Sequence, residues 1–162
     1  MIQRTLVVLK PDAIQRGLAG RVITRLEEAG LKIVGARLRR VDAVFTRRHY
    51  ADLEERWGKA AYDKTAAYVQ SGPVLALAVE GVEAVAVVRK LVGGTFPDEA
   101  VPGTIRGDFA HHGKAHAEQA GRAVMNLVHA SGNAEEAAFE VGLWFAEDEL
   151  FDYATVAEAL TF

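Results

Sequence analysis

Residues 6–12 read Leu6-Val7-Val8-Leu9-Lys10-Pro11-Asp12, an apolar run stopped by a proline. Four consecutive apolar residues predict a short buried strand in the middle of a sheet. Pro11 ends that strand because proline has no N–H to donate to a neighbouring strand. Lys10 is therefore predicted at a strand end, where a lysine can contact a phosphate as a point charge. From its position alone, Lys10 is more typical of an ordinary surface lysine.

The rest of the chain alternates helical and extended patterns. Residues 31–38 predict a second strand, and the apolar alternation changes phase near Gly35, which predicts a bulge. Residues 93–109 contain several prolines and glycines and predict a long loop. The other predictions are helices over 21–29, 46–53 (capped by Thr46), 60–69, 82–91 and 133–145 (capped by Asn133), a helix-compatible stretch over 110–123, and strands over 74–79 and 126–128. This order fits a split βαβ arrangement and predicts an α+β sheet with its helices on one face.

Length and composition indicate one ordinary globular domain over residues 1–162. The absence of cysteine excludes disulfides and thiolate metal sites, and it agrees with a reducing cytosol, so we expect a cytoplasmic protein. The first apolar run is too short to span a membrane, and no cleavage site follows it. The net charge of −3 argues against a dedicated nucleic-acid partner, because proteins that bind nucleic acids usually carry a basic surplus.

Two further segments carry residues capable of phosphate chemistry. Gly103 and Gly107 flank Arg106, whose guanidinium either forks onto phosphate oxygens or pairs with Asp108. His129 follows an apolar run, and a neutral imidazole is a competent nucleophile at neutral pH. A histidine nucleophile needs a partner on its other ring nitrogen, and Ser131 and Glu140 are candidates for this role. From position alone, His129 is more typical of a hydrogen-bonded histidine at a strand end.

His111, His112 and His116 are the residues that suggest a metal site. Three histidines within six residues can bind zinc. No acidic or thiol ligand stands beside them, so we interpret them as part of a solvated loop.

Taken together, several segments resemble the nucleoside diphosphate kinase family. They are Thr5-Leu-Val-Val-Leu-Lys-Pro-Asp-Ala-Ile-Gln-Arg-Gly17, Ser71-Gly-Pro-Val74, Pro102-Gly-Thr-Ile-Arg-Gly-Asp-Phe109, Asn126-Leu-Val-His-Ala-Ser131, and a last helix ending in Gly142-Leu-Trp-Phe145. The resemblance covers nearly the whole chain. It implies a ferredoxin-like βαββαβ sandwich, with an antiparallel four-stranded sheet and extra helices. It also implies ping-pong transfer of the γ-phosphate of a nucleoside triphosphate to a nucleoside diphosphate through a phosphohistidine.

The resemblance also assigns roles to individual residues. It makes His129 the nucleophile, with Ser131 and Glu140 orienting it and Lys10 on the phosphate and the sugar 3′-hydroxyl. It implies Mg²⁺ held mainly by the nucleotide phosphates, with no protein ligand, and ATP and other nucleoside tri- and diphosphates as substrates. The remaining nucleotide-binding residues would be Tyr50, Arg89, Thr95, Arg106 and Asn126.

Two segments depart from the family pattern. Residues 56–62 replace the usual Arg-Pro-Phe-Phe, so the aromatic side chain that stacks on the base has no certain match. Tyr62 is our first candidate and Trp57 the second. Residues 110–124 form an insertion, and Met125 replaces an arginine. We expect the insertion to add helical structure near the nucleotide and to reshape the base pocket or a subunit contact.

Three other functions stay open at this point. The chain could be a catalytically degenerate ferredoxin-like binding protein, a histidine phosphocarrier, or a nucleic-acid binder on its sheet face. The first two predict poor turnover with diphosphate acceptors, and the acidic charge disfavours the third. Family members are usually homo-oligomers, hexamers or tetramers. An apolar tail after residue 145 could cover its own subunit or a neighbour; its large side chains are Phe151, Tyr153, Leu160 and Phe162.

Overall fold

Four strands form one antiparallel sheet in this computed structural model, which describes residues 1–161. They are β1 (Ile2–Leu9), β2 (Lys32–Arg39), β3 (Val74–Val82) and β4 (Val128–Ala130), arranged in the order β2-β3-β1-β4. β1 lies in the interior of the sheet between β3 and β4, as the unbroken apolar run predicted. The connections from β1 to β2 and from β3 to β4 run through helices and join strands that are not neighbours in the sheet. These two crossovers produce the observed order, so the α+β, ferredoxin-like prediction is confirmed.

Helices make up most of the connections between the strands. They are α1 (Pro11–Gln15), α2 (Ala19–Glu28), α3 (Ala43–His49), α4 (Leu53–Trp57), α5 (Lys59–Gln70), α6 (Ala84–Val92), α7 (Ile105–Phe109), α8 (Lys114–Gln119), α9 (Ala134–Trp144) and α10 (Glu158–Thr161). No helix within residues 1–161 has the length and apolar character needed to cross a membrane.

Helices cover both faces of the sheet, so the prediction of helices on one face was wrong. Val7 and Leu9 face one apolar core, together with α2 and α6. Leu6 and Val8 face a second core, which is formed by α3, α5 and α9. Successive residues of a strand point to opposite faces, so a strand without polar positions must be covered on both sides.

The predicted bulge in β2 is present, because the register against β3 shifts between Ile33 and Gly35. Gly35 leaves space for a close approach by the C-terminal region. A Cβ atom at this position would lie 2.9 Å from a methyl carbon of Leu150 and 3.2 Å from the ring of Phe145.

Several predicted boundaries need correction. Asp42, and not Thr46, caps α3, because its carboxylate accepts a hydrogen bond from the Phe45 N–H at 2.7 Å. The predicted loop 93–109 contains the helix α7, and the helix-compatible stretch 110–123 is helical only over α8. β4 starts at Val128 because Leu127 has a φ of +69°, which interrupts the extended conformation.

The predicted apolar tail runs along β2, the edge strand of the sheet. The Phe151 N–H donates to the Val34 carbonyl at 2.7 Å, and the Tyr153 hydroxyl donates to the Ile33 carbonyl at 2.7 Å. Phe151 and Leu160 themselves remain largely exposed. Phe162, the last residue named in the tail prediction, lies outside the described residues.

Candidate active site

A cleft with a volume of about 770 Å³ opens where the ends of β1 and β4 meet α3, α6 and α9. Eight of the ten predicted site residues line it: Lys10, Tyr50, Arg89, Thr95, Arg106, Asn126, His129 and Glu140. Ser131 does not line the cleft; it is fully buried, and its hydroxyl bonds to the lining residue Glu140.

His129 is held through one ring nitrogen. Antiparallel pairing places it opposite Val8 in the sheet. Its Nε2 lies 2.8 and 3.0 Å from the two carboxylate oxygens of Glu140. A carboxylate only accepts hydrogen bonds, so Nε2 carries the proton and Nδ1 keeps its lone pair. The ring is partly exposed to the cleft, so Nδ1 is the nitrogen available to a substrate.

Glu140 is in turn fixed by Ser131. The Ser131 hydroxyl donates to Oε2 of Glu140 at 2.6 Å and accepts from the Leu6 N–H at 3.3 Å. Burial, the largest influence, acts to raise the pKa of Glu140, but the hydrogen bond and charge of His129 and the Ser131 hydroxyl outweigh it and lower that pKa. Glu140 therefore stays ionised and can support positive charge on the His129 ring.

Lys10 places its ammonium group inside the cleft. Its Nζ donates to Oδ1 of Asn126 at 2.7 Å, and the amide nitrogen of Asn126 donates to the Thr95 carbonyl at 2.9 Å. Burial, and then the charge of Arg106, lower the pKa of Lys10 to about 7 against the opposing carboxylate of Asp12. Near neutral pH the amine is thus ready to become fully charged when an anion binds beside it.

Arg106 connects the loops that surround the cleft. Its Nε donates to the Asn126 carbonyl at 3.1 Å, and its NH2 donates to the Val128 carbonyl at 2.6 Å. Its NH1 donates to the carbonyls of Gly93 and Gly94. A guanidinium has five N–H donors, so within the described residues one remains for a ligand. The alternative pairing with Asp108 is not formed, because that carboxylate pairs with Arg25 at 2.9 Å.

Burial also affects the charge of two other groups in the cleft. Burial, and then the charge of Arg89, lower the pKa of Arg106 to about 10, so the guanidinium is still a cation at neutral pH. Burial raises the pKa of Tyr50, so its hydroxyl stays protonated and can donate to a phosphate oxygen. Arg89 lines the cleft as a further cation.

Sequence reasoning missed Asp12 and Tyr68. One carboxylate oxygen of Asp12 accepts from the Leu127 N–H at 3.2 Å, and the other accepts from the Tyr68 hydroxyl at 2.6 Å. These bonds hold Leu127 in its left-handed conformation between Asn126 and His129. The segment Lys10-Pro11-Asp12 contains the signal, because an aspartate directly after a strand-ending proline is positioned to bond a neighbouring loop.

The structure does not bring Tyr62 into the cleft. Its side chain is buried, and the guanidinium of Arg47 lies 3.7 Å from its ring centroid. Trp57, our second candidate for base stacking, does line the cleft and is 68% exposed.

The segment 110–124 forms one side of the cleft mouth. The lining residues that it contributes are Lys114, Ala117, Glu118, Arg122, Ala123 and Val124. The rings of His111 and His112 lie 4.8 Å apart, and those of His112 and His116 lie 6.1 Å apart. Within residues 1–161, the ligand atoms of these three histidines do not come close enough together to form a metal-binding cluster.

Comparison with known proteins gives one consistent family. The sequence model of the family described as nucleoside diphosphate kinase matches residues 3–150. A curated nucleoside diphosphate kinase of Borreliella burgdorferi is 40% identical over 155 residues, which cover 94% of this chain and 93% of that protein. That of Roseiflexus castenholzii is 47% identical over 151 residues, covering 93% of each chain.

Solved structures agree with the sequence comparison. A transition state mimic of the Borrelia burgdorferi nucleoside diphosphate kinase, with bound vanadate and ADP, has a TM-score of 0.95 and 39% identity, and the alignment covers 98% of this chain and 96% of that one. The Halobacterium salinarum enzyme in complex with CDP has a TM-score of 0.86 and 39% identity, covering 100% and 99%. At 98% coverage, most of the segment 110–124 has a counterpart in the Borrelia structure. The chain therefore belongs to the nucleoside diphosphate kinase family.

Proposed function

We propose that this chain is a nucleoside diphosphate kinase that works through a phosphohistidine on Nδ1 of His129. One observation carries the proposal: Glu140 occupies Nε2 of that ring, while Nδ1 is left for a cleft lined by Lys10, Arg89 and Arg106. A nucleophile facing three cationic side chains suits a polyphosphate substrate.

The reaction has two half-reactions at one site. Nδ1 of His129 attacks the γ-phosphorus of a nucleoside triphosphate. The N–P bond forms, the bond from the γ-phosphorus to the bridging oxygen breaks, and the nucleoside diphosphate leaves. An acceptor diphosphate then binds in the same place. A terminal oxygen of its β-phosphate attacks the phosphorus, the N–P bond breaks, and His129 returns to its first state.

The residues around His129 supply position and charge. When Nδ1 is phosphorylated, the ring becomes cationic, and Glu140 stabilises this charge while it keeps the proton on Nε2. Lys10 and the free N–H of Arg106 donate to phosphate oxygens, which disperses the negative charge of the transferring group. The side-chain amide of Asn126 holds Lys10 in position by accepting its hydrogen bond. The Thr95 carbonyl in turn holds that amide, because it accepts a hydrogen bond from the amide nitrogen.

The proposed reaction includes Mg²⁺, which would bind to the phosphates of the nucleotide. Among the described residues, only His49, His129 and Glu140 bring three ligand atoms within 4.8 Å of one another. Mg²⁺ prefers six oxygen ligands, so a set with two imidazoles does not suit it. When bound, the ion would neutralise phosphate charge, and no protein ligand is assigned to it.

The nucleoside part of the substrate is expected to meet Trp57 in place of Tyr62, because Trp57 is exposed in the cleft. Stacking on an aromatic ring suits every base, since every base has a π-face. ATP and other nucleoside tri- and diphosphates are therefore proposed as substrates without a strict base preference.

The test is the mass of the intact protein after addition of magnesium and ATP, and again after addition of excess GDP. A kinase gains one phosphoryl group and loses it to GDP, and His129→Ala gains none. A phosphocarrier would keep the group in the presence of GDP. A degenerate binding protein would never acquire the group, and this result would overturn the proposed activity.

A further inference from the structure

His49, at the end of α3, is a second histidine buried beside His129. The two rings meet edge to face with their centroids 4.6 Å apart. On its other side, His49 contacts the indole of Trp144, with ring centroids 5.5 Å apart. Neither side chain is in the set that the sequence predicted for the site, and the phosphoryl transfer described above does not use them.

The contact with Trp144 fixes the position of the proton on His49. The indole N–H of Trp144 donates to Nδ1 of His49 at 3.2 Å. An indole nitrogen can only donate, so Nδ1 must present its lone pair, and neutral His49 carries its proton on Nε2. Nε2 is buried without a partner among the described residues. A cavity of about 10 Å³, close to the size of one water molecule, lies against His49 and Lys10.

The same nitrogen lies close to the carboxylate that His129 needs. Nδ1 of His49 is 3.7 Å from Oε1 of Glu140. If Nδ1 carried a proton, a small rotation would let it donate to Glu140, and a hydrogen bond to a charged acceptor is a strong one. Glu140 already accepts from Nε2 of His129 and from Ser131. A third donor on Oε1, the oxygen that lies 2.8 Å from Nε2 of His129, would compete with His129 for that oxygen.

We propose that Trp144 is a positioning residue that holds His49 in the tautomer unable to donate to Glu140, and so keeps this carboxylate for His129. The inference deepens the proposed function and rests on His129 being the nucleophile. It predicts that the indole N–H, and not only the bulk of the ring, is needed for phosphorylation.

The charge state of His49 agrees with this role. Burial, and then the charges of His129 and Lys10, lower the pKa of His49 to about 3, while Glu140 acts in the opposite direction. Tyr50 also packs on the ring, with centroids 4.5 Å apart, and its raised pKa keeps it uncharged. His49 is therefore neutral at physiological pH, and its tautomer alone decides whether it competes for Glu140.

The first test is the nitrogen-15 NMR spectrum of the histidine-labelled full chain. In the unmodified protein we expect His49 to show a protonated Nε2 and an unprotonated Nδ1. Trp144→Phe keeps an aromatic ring but loses the donor, so the tautomer with a protonated Nδ1 becomes populated. A protonated Nδ1 on His49 in the unmodified protein would overturn the inference. This measurement needs no turnover, so its outcome is independent of the proposed kinase activity.

The second test is the single-turnover rate at which ATP phosphorylates the protein. Trp144→Phe should lower the rate about tenfold, the effect of one lost hydrogen bond, with the nucleotide dissociation constant changed less than about twofold. Adding His49→Phe removes the competing donor and should restore most of the rate. If the double variant is as slow as Trp144→Phe, the indole only packs and the inference fails.

The matched control is Phe45→Leu. Phe45 packs edge to face on Trp144, with ring centroids 4.7 Å apart, and takes no part in the cleft chemistry. This variant disturbs the packing of the indole but leaves its N–H in place. We expect the His49 tautomer and the phosphorylation rate to stay as in the unmodified protein. A loss of rate equal to that of Trp144→Phe would assign the effect to packing.

Discussion

At the scale of single residues, the cleft holds buried cations that no carboxylate of the described residues 1–161 fully neutralises. Lys10 bonds to the neutral amide of Asn126, and Arg106 bonds to backbone carbonyls. A buried cation without a full counter-charge is costly, and a bound anion removes this cost. The site is therefore suited to binding a polyphosphate, and the buried cations lower the stability of the protein when no polyphosphate is bound.

Lys10 links nucleotide binding to proton uptake. Its pKa is about 7 in the free protein, and a bound phosphate raises it, so binding at pH 8 should take up close to one proton. Affinity should be full below pH 7 and fall as pH rises, until the pKa of the bound state is reached. Calorimetry in two buffers of different ionisation heat measures this uptake. Lys10→Gln should show none, and equal heats for the unmodified protein would contradict the prediction.

Lys10 should also lower the stability of the empty protein. Its folded pKa lies below the unfolded value of 10.5, so the unfolded chain binds more protons between about pH 7 and pH 10.5. Stability therefore rises with pH across this window, and the cost of the buried charge is largest below pH 7. Lys10→Met should raise the melting temperature by several degrees at pH 6 and much less at pH 10. A fall at pH 6 would show that the Asn126 contact matters more than the charge.

Arg106 should be as important for folding as for phosphate binding. Its bonds join residues 93–94 to residues 126–128. A lysine has neither the reach nor the planar fork to replace four such bonds. We expect Arg106→Lys to cost about 2–4 kcal/mol, measured as the free energy of unfolding in urea. The exposed neighbour Arg89→Lys is the control, and an equal loss of stability there would contradict this role.

At the scale of elements, the residue patterns predicted the positions of the strands along the chain, but they did not predict the detailed contacts of the site. The runs in β1 and β3 and the phase change at Gly35 are local features of the sequence, so they predicted the sheet. Helix α7 has five residues, too few to show a helical period. His49 and Trp144 were missed because their contact joins residues 95 positions apart.

The family motifs explain why most of the side chains that line the cleft around His129 were nonetheless among the predicted residues. The pairing of His129 with Glu140 joins residues only 11 positions apart, on a strand and the helix that follows it. The role of Asp12 depends on Leu127, 115 positions away, so its place directly after Pro11 indicates a side chain able to bond a loop but does not indicate which loop.

Helix α8 should control access of the nucleoside to the cleft. Ala117 is buried on this helix and lines the cleft mouth. Ala117→Phe should obstruct the nucleoside end of the cleft, because close-packed surroundings have no space for a ring. We expect ADP affinity to fall about tenfold while affinity for inorganic triphosphate changes little. Ala115→Phe, on an exposed position of the same helix, is the control. An equal loss for both ligands would place α8 over the phosphates instead.

At the scale of the whole molecule, apolar side chains remain exposed along one edge of the sheet. Leu38 in β2 is 64% exposed, and Phe151, whose N–H donates to the Val34 carbonyl of the same strand, is 65% exposed. Large apolar side chains exposed along one edge are typical of surfaces that bind another chain. We propose that copies of this chain assemble through this edge into the tetramer or hexamer that the family resemblance implies.

Light scattering after gel filtration measures this assembly. The unmodified chain should have the mass of four or six subunits, and Phe151→Asp should give smaller species, because a charge at an apolar contact is costly. An unmodified chain that elutes as a monomer at micromolar concentration would contradict the proposed assembly. An unchanged mass for Phe151→Asp would place the contact elsewhere.

The most direct test of the account is the site of the phosphoryl group on the protein. Phosphorus–proton correlation NMR of the protein, recorded after it has reacted with magnesium and ATP, distinguishes the two ring nitrogens. We predict a single phosphoryl group on Nδ1 of His129, because Glu140 holds Nε2. A phosphoryl group on Nε2 or on another residue, or no phosphoryl group at all, would contradict it.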